Sequence, residues 1–128
     1  MTEVKLFRKS EQDLTPNASG SAVQGLVNVS FSDRLGAGIG VFENCQMEWT
    51  VTYDEVLFIL EGSMGLKTKV GTFEAGPGDT LWIPKGTWLV YRADAPVTFF
   101  YAVSPVQSSP STSVAKAHPT SSPTEKDN

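Results

Sequence analysis

The chain has 128 residues, enough to bury one hydrophobic core and therefore to form one domain. Its net charge of -4 argues against nucleic acid or an anionic membrane as a partner, and no apolar run approaches the roughly 20 residues that span a bilayer. With a single cysteine, Cys45, and no apolar leader segment, we expect a soluble cytoplasmic protein without an internal disulfide.

Short β-type runs follow one another along most of the chain. Residues 1–20 are polar and form an N-terminal arm with one candidate edge strand, Val4–Phe7. After the arm, runs rich in β-branched and aromatic residues alternate with clusters of Gly, Pro, Asn and Asp. Since no segment has a sustained helical period, the fold class is all-β, a sandwich or a barrel. The predicted strands are Gly25–Phe31, Gly38–Glu43, Gln46–Val51, Val56–Glu61, Met64–Val70, Thr80–Ile83, Thr87–Tyr91 and Val97–Val103.

The composition changes abruptly at Ser104, where Ser, Thr and Pro begin to dominate. Such a segment buries too little apolar surface to offset the entropy of ordering it. We therefore expect the folded barrel to cover residues 21–105 and a disordered tail to cover residues 106–128. His118, the only histidine of the chain, lies in this tail and is expected to be solvated.

Two sequence motifs with characteristic spacings lie at the turns between strands. The first consists of Glu55, six intervening residues and Gly62, and the second consists of Gly78, five intervening residues, Pro84 and Gly86. Pro84 fixes its φ angle, and Gly86 is able to take a positive φ that other residues resist. This skeleton resembles the two-motif signature of the cupin superfamily, and the resemblance implies a single jelly-roll domain, the double-stranded β-barrel of cupins. Turn residues say little about chemistry.

Metal-binding cupins carry two histidines and a glutamate in the first motif and a further histidine in the second. In this chain the histidine positions fall on Glu48 and Thr50, or on Trp49 and Val51, and in the second motif on Leu89. Only Glu55 is kept. Because imidazole is what transition metals use in such barrels, we expect a metal-free cupin. A weak oxygen site made from Glu43, Glu48 and Glu55 is the alternative, and it would favour a hard ion.

A closer resemblance lies in the segment GAGIGVFENCQMEWTVTYDEVLFILEG, residues 36–62. It is similar to the cupin domain of the ethanolamine-utilisation protein EutQ, whose Gly-Ala-Gly, Glu-Asn, Trp-Thr-x-x-Tyr-Asp-Glu and Leu-Glu-Gly elements are all present. Trp82 and Tyr101 stand where that family is usually aromatic. The resemblance covers about residues 20 to 105. Enteric members have a sizeable region before the cupin, associated with the ethanolamine microcompartment, so we expect a stand-alone EutQ-like cupin here.

Acidic and aromatic side chains concentrate around Glu55. Strand alternation places Glu55, Leu57, Ile59 and Glu61 on one face, and the cupin resemblance implies that Glu55 points into the barrel. A buried carboxyl group of this kind binds a cationic amine, acts as a general acid or base, or hydrogen-bonds a neighbouring tyrosine as part of the core. The tryptophans either pack in the core or form an aromatic wall beside an amine. The candidate ligand-binding residues are Glu43, Glu48, Trp49, Tyr53, Asp54, Glu55, Trp82 and Tyr101, with Glu55 the best candidate for a catalytic role.

Three functions are compatible with these residues. The first is a metal-free cupin that binds a small polar metabolite, linked by resemblance to ethanolamine or amine utilisation. The second is an acetate kinase using ATP and Mg²⁺, which the resemblance alone implies, since the chain has no Walker-type loop. The third is a non-catalytic assembly protein. We expect a homodimer, because jelly rolls commonly pair through exposed strands.

Overall fold

The computed structural model describes residues 3–107. Within that range the chain forms nine strands and one short 3-10 helix, Lys9–Glu11. The strands are β1 (Ser21–Val27), β2 (Gly36–Phe42), β3 (Cys45–Thr50), β4 (Asp54–Glu61), β5 (Met64–Thr68), β6 (Gly71–Ala75), β7 (Thr80–Ile83), β8 (Trp88–Ala93) and β9 (Val97–Ser104). No helix of residues 3–107 is long and apolar enough to cross a membrane.

Two antiparallel sheets enclose the core. One has five strands in the order β1-β2-β9-β4-β7, and the other has four in the order β3-β8-β5-β6. The inward-facing residues of both sheets form one hydrophobic cluster, with Phe42, Leu57, Leu89 and Phe99 fully buried. The all-β jelly-roll prediction is confirmed, and its core lies between the sheets.

The structure differs from the predicted strands in three places. Val4–Phe7 is exposed coil, and β6 was missed because its sequence, GTFEA, has a single large apolar residue. The strand predicted at Gly25–Phe31 is β1, which begins at Ser21 and ends at Val27. It ends there because Asn28 starts a turn in which its backbone oxygen accepts hydrogen bonds from the amides of Phe31 and Ser32. The predicted tail, from residue 108 onward, lies outside the described residues.

Strand β4 shows the predicted alternation over most of its length. Glu55, Leu57 and Ile59 are buried, whereas the side chains between them face outward. Glu61 departs from the prediction and is exposed, because the pairing of β4 with β9 shifts register between Ile59 and Glu61. The inward face of β4 therefore delivers one carboxyl group, that of Glu55, to the interior.

Glycines in β2 make room for aromatic side chains of β9. Gly38 pairs with Tyr101 and Gly40 with Phe99. A Cβ atom on Gly38 would collide with the Tyr101 hydroxyl, and one on Gly40 would lie 2.5 Å from Cζ of Phe99. The two rings therefore lie over β2 and fill the space that side chains at these glycine positions of β2 would otherwise occupy.

Candidate functional site

Glu55 is the buried carboxyl group at the centre of the barrel. Its side chain is fully shielded from solvent, and the Tyr91 hydroxyl donates a hydrogen bond of 3.0 Å to its Oε1 atom. Oε2 has no hydrogen-bond partner within the described part of the chain. Burial raises the pKa of Glu55 to about 8, while the hydrogen bond from Tyr91 acts in the opposite direction. At neutral pH the carboxyl group is therefore mostly protonated and uncharged.

Buried tyrosines surround this carboxyl group. Tyr91 lies on β8 of the opposite sheet, so its hydrogen bond to Glu55 bridges the two layers. Tyr53 precedes β4, and the Trp49 indole Nε1 donates a hydrogen bond of 3.3 Å to its hydroxyl. Burial, followed by the nearby Glu55 carboxylate, raises the pKa of both Tyr53 and Tyr91 above the usual value. These phenols stay protonated, and the site is polar without being charged.

The structure brings together half of the predicted site residues. Trp49, Tyr53, Glu55 and Tyr101 line the interior. Tyr101 is fully buried and lies opposite Leu57, two residue pairs along the β4–β9 ladder from Glu55 and on the same face. Tyr91, which also contacts Glu55, was not among the predicted site residues. The alternation in β8 could have indicated its inward direction, since Leu89, Tyr91 and Ala93 are the buried positions of that strand.

The other four predicted residues lie away from this interior. Glu48 faces outward on β3, where its Oε2 accepts a hydrogen bond of 2.7 Å from the Trp88 indole. Asp54 is exposed and accepts a hydrogen bond of 2.8 Å from the Lys85 amide. Glu43 is half-buried in the turn after β2, and Trp82 on β7 is 62% exposed. The structure therefore does not bring them together with Glu55: Asp54 is its neighbour along β4 and points to the other side of the sheet, and the other three lie on different elements.

The carboxylates do not assemble a metal site in the described structure. Among residues 3–107, no group of three or more His, Cys, Asp or Glu side chains is placed to hold a metal ion. Glu55 is buried between the sheets, whereas Glu48 is on the outer surface. The oxygen site suggested for Glu43, Glu48 and Glu55 is therefore not formed by these residues.

A groove opens on the side of the barrel between β7 and the hairpin of β5 and β6; we call it the hairpin groove. It has a volume of about 620 Å³ and a largely apolar lining that includes Phe73, Leu81 and Trp88. Leu66 and Ile83, two inward-facing residues, also line it. The groove thus reaches two side chains of the core, but neither Glu55 nor Tyr91 is among its lining residues.

Two antiparallel sheets that face each other around a buried core give the chain a cupin-type fold, the double-stranded β-barrel. In agreement, the structure is similar to an RmlC-like cupin with a double-stranded β-helix fold from Methanocaldococcus jannaschii. The TM-score is 0.63 at 20% identity, covering 83% of this chain and 94% of that one.

Residues 2–109 match the model of the family described as ethanolamine utilisation protein EutQ, and the chain belongs to that family. The acetate kinase EutQ of Escherichia coli K12 is 32% identical over 80 residues, which are 62% of this chain and 34% of that protein. The chain thus spans about a third of the length of that relative. The crystal structure of a putative ethanolamine utilization protein from Salmonella typhimurium LT2 has a TM-score of 0.73 at 27% identity, covering 81% of this chain and 88% of that one.

Proposed function

We propose that this EutQ-family cupin binds a small polar metabolite inside the barrel, with Glu55 as the anchor. The observation that carries the proposal is the unpartnered Oε2 of a fully buried carboxyl group whose other oxygen is held by Tyr91. Leaving a buried polar atom without a hydrogen bond costs about 1–3 kcal/mol. A ligand that supplies the missing partner recovers this energy, so the site is better suited to binding than to packing alone.

The family membership supports a ligand from ethanolamine or amine utilisation. Because the described residues contain no histidine, we propose that the ligand binds without a transition metal. Elemental analysis of the purified protein checks this point. Stoichiometric Mn, Fe, Ni or Zn would contradict it.

A thermal-shift screen tests ligand binding directly. The screen covers ethanolamine, acetate, acetyl phosphate, and ATP with Mg²⁺, each against the wild type and the E55Q and E61Q variants. Glu61 lies on the same strand but is exposed, so E61Q is a matched control for loss of a carboxylate. A compound that anchors on Glu55 stabilises the wild type and E61Q, and stabilises E55Q to a different degree. If no compound stabilises the wild type, the proposal for this set of metabolites is refuted.

Acetate kinase activity is a second candidate, because the Escherichia coli relative bears that name. Phosphoryl transfer needs cations around the phosphates, usually Mg²⁺ held by acidic side chains together with Lys or Arg. Here Lys67 is exposed on β5 and Lys85 on the turn after β7, while Arg92 pairs with Asp94 on the surface. An assay for ATP-dependent formation of acetyl phosphate in the presence of Mg²⁺ tests this candidate, and no product would refute it. Sustained turnover that survives purification to homogeneity would establish the kinase instead.

An assembly role has its own support on the outer face of the five-stranded sheet. Phe58 pairs with Phe100, and Val56 pairs with Trp82, so large apolar side chains lie side by side. Each of these four is 38–62% exposed. We propose that a second copy of the chain covers this apolar face, since a two-fold interface uses the same patch on both subunits. Light scattering at micromolar concentration tests it, and a monomer would refute it.

A further inference from the structure

The N-terminal arm carries apolar side chains that its own chain does not bury. Val4 and Leu6 are 98% and 70% exposed. The arm is nevertheless held in place beside Leu6. The Phe7 ring stacks on Phe31 with 6.4 Å between ring centres, and the Lys5 ammonium group lies 4.9 Å from the centre of the same ring. Leu6 therefore stands between two anchored residues with its apolar side chain left in water.

The arm lies beside β1, at one edge of the five-stranded sheet. Phe31 belongs to the turn after β1, and the Asp13 amide donates a hydrogen bond of 3.1 Å to Oε1 of Gln24 in β1. β7 and the hairpin groove lie at the opposite edge, four strand spacings away, which at about 4.8 Å each is about 19 Å. The described residues before Phe7 span at most about 14 Å. The arm thus does not reach the groove of its own chain.

The hairpin groove has an exposed apolar rim. Val70, at the tip of the hairpin of β5 and β6, lines the groove and is 90% exposed. Trp82 also lines the groove, and it belongs at the same time to the apolar outer face of the five-stranded sheet, where it pairs with Val56. The outer face and the groove therefore form one continuous apolar surface, and a surface of this kind marks an interaction site.

A two-fold axis is able to bring the arm and the groove together. The outer face proposed above as a dimer interface is centred on β9 and β4, the strands of Phe100 and Phe58. An axis that runs along these strands exchanges the two edges of the sheet, so β1 of one copy comes to lie beyond β7 of the other. The arm beside β1 then lies over the hairpin groove of the second copy, and the two-fold symmetry repeats the contact in the opposite direction.

We propose that the N-terminal arm of a second copy covers the hairpin groove, with Leu6 packed against Val70 and Trp82. This placement rests on the dimer proposed above and adds a contact that the outer face alone does not provide, since each copy closes the groove of the other. It removes two apolar surfaces from water at once, which stabilises the pair.

Engineered cysteines test this placement, because Cys45, the one native cysteine, is buried. L6C places a thiol on the arm, and V70C places one on the rim of the groove. The two variants are mixed, allowed to exchange subunits and oxidised, and the disulfide-linked pairs are identified by intact mass. We expect L6C to link to V70C and neither variant to link to itself, since the axis keeps like positions apart. K67C is the matched control, because Lys67 is exposed on β5 but does not line the groove.

A second variant measures the contact without a cross-link. L6D places a charge where the apolar contact is proposed, and Leu6 is exposed within one chain, so the variant keeps its fold. We expect the dissociation constant of the dimer to rise roughly tenfold or more in sedimentation equilibrium. An unchanged constant would overturn the placement.

The contrary results of the cross-linking experiment are distinct. Absence of the link between L6C and V70C, in a protein that light scattering shows to be dimeric, overturns the placement of the arm and leaves the dimer intact. A link from L6C to K67C as frequent as that to V70C also overturns it, because random collision would then explain both. A wild-type monomer at micromolar concentration removes the dimer and the arm placement together, while the metabolite proposal for Glu55 is decided separately by the thermal-shift screen.

Discussion

Replacing Glu55 with Gln should change how the stability of the protein depends on pH. The pKa of Glu55 is raised from an ordinary value of 4.5 to about 8 in the folded protein. The folded state thus holds this proton more tightly than the unfolded state does. Its stabilising effect is complete below about pH 4.5 and is lost as the pH rises through about 8.

The size of the effect follows from the difference between the two pKa values. Each tenfold difference in proton affinity is worth about 1.4 kcal/mol, so the free energy of unfolding falls by about 3 kcal/mol between acid and pH 7. By pH 9 the loss reaches roughly 5 kcal/mol, a large part of the 5–15 kcal/mol that stabilises a typical domain. Cys45, with a pKa raised to about 11, and the buried tyrosines Tyr53 and Tyr91 titrate above this range.

The E55Q side chain keeps the shape of the protonated carboxyl group and removes its titration. Its amide oxygen still accepts from Tyr91, and its nitrogen takes the place of the protonated Oε2. We expect E55Q to match the wild type near pH 5 and to be more stable by several kcal/mol at pH 9. Urea unfolding followed by tryptophan fluorescence at pH 5, 7 and 9 measures this difference, with E61Q as the control. A wild-type profile as flat as that of E55Q would show that Glu55 is already ionised in the folded protein, and the reasoning would fail.

Three further perturbations test other parts of the structure. Y91F removes the hydrogen bond that lowers the pKa of the buried Glu55 carboxyl group. In the same urea series, the pH at which stability is lost should therefore move upward, and the free energy of unfolding at pH 6 should fall by about 1–3 kcal/mol. An unchanged pH profile would contradict this pairing. G40A brings a Cβ atom to 2.5 Å from the Phe99 ring and should lower stability by about 1–3 kcal/mol, measured as a drop in Tm, whereas G76A, whose Cβ would be 3.9 Å from its nearest neighbour, is the control. F58K places a charge in the apolar outer face and should convert the proposed dimer into a folded monomer in sedimentation velocity; a variant that stays dimeric would place the interface elsewhere.

Local pattern was enough to predict the fold class and most strands. Alternating apolar residues in β4 and β9 predict strands with one buried face, and the motif around Gly78, Pro84 and Gly86 predicts the turn after β7. Gly86 has a φ of 90°, as its position in that turn predicted. The same local reasoning missed β6, because a short hairpin strand at the edge of a sheet buries little and needs few apolar residues.

The sequence by itself determined the EutQ resemblance, the missing histidines and the inward direction of Glu55. Only the tertiary structure decided which group meets Glu55, because alternation assigns side chains to a face without saying which strand of the other sheet stands opposite. Tyr91 is 36 residues away in the chain and reaches the carboxyl group across the two layers. Glu48 and Asp54 are close to Glu55 in sequence but lie outside the site, since Glu48 faces outward on β3 and Asp54 points to the opposite side of β4 from Glu55. Burial between two sheets, which no local pattern specifies, gives this carboxyl group its raised pKa and its unpartnered oxygen.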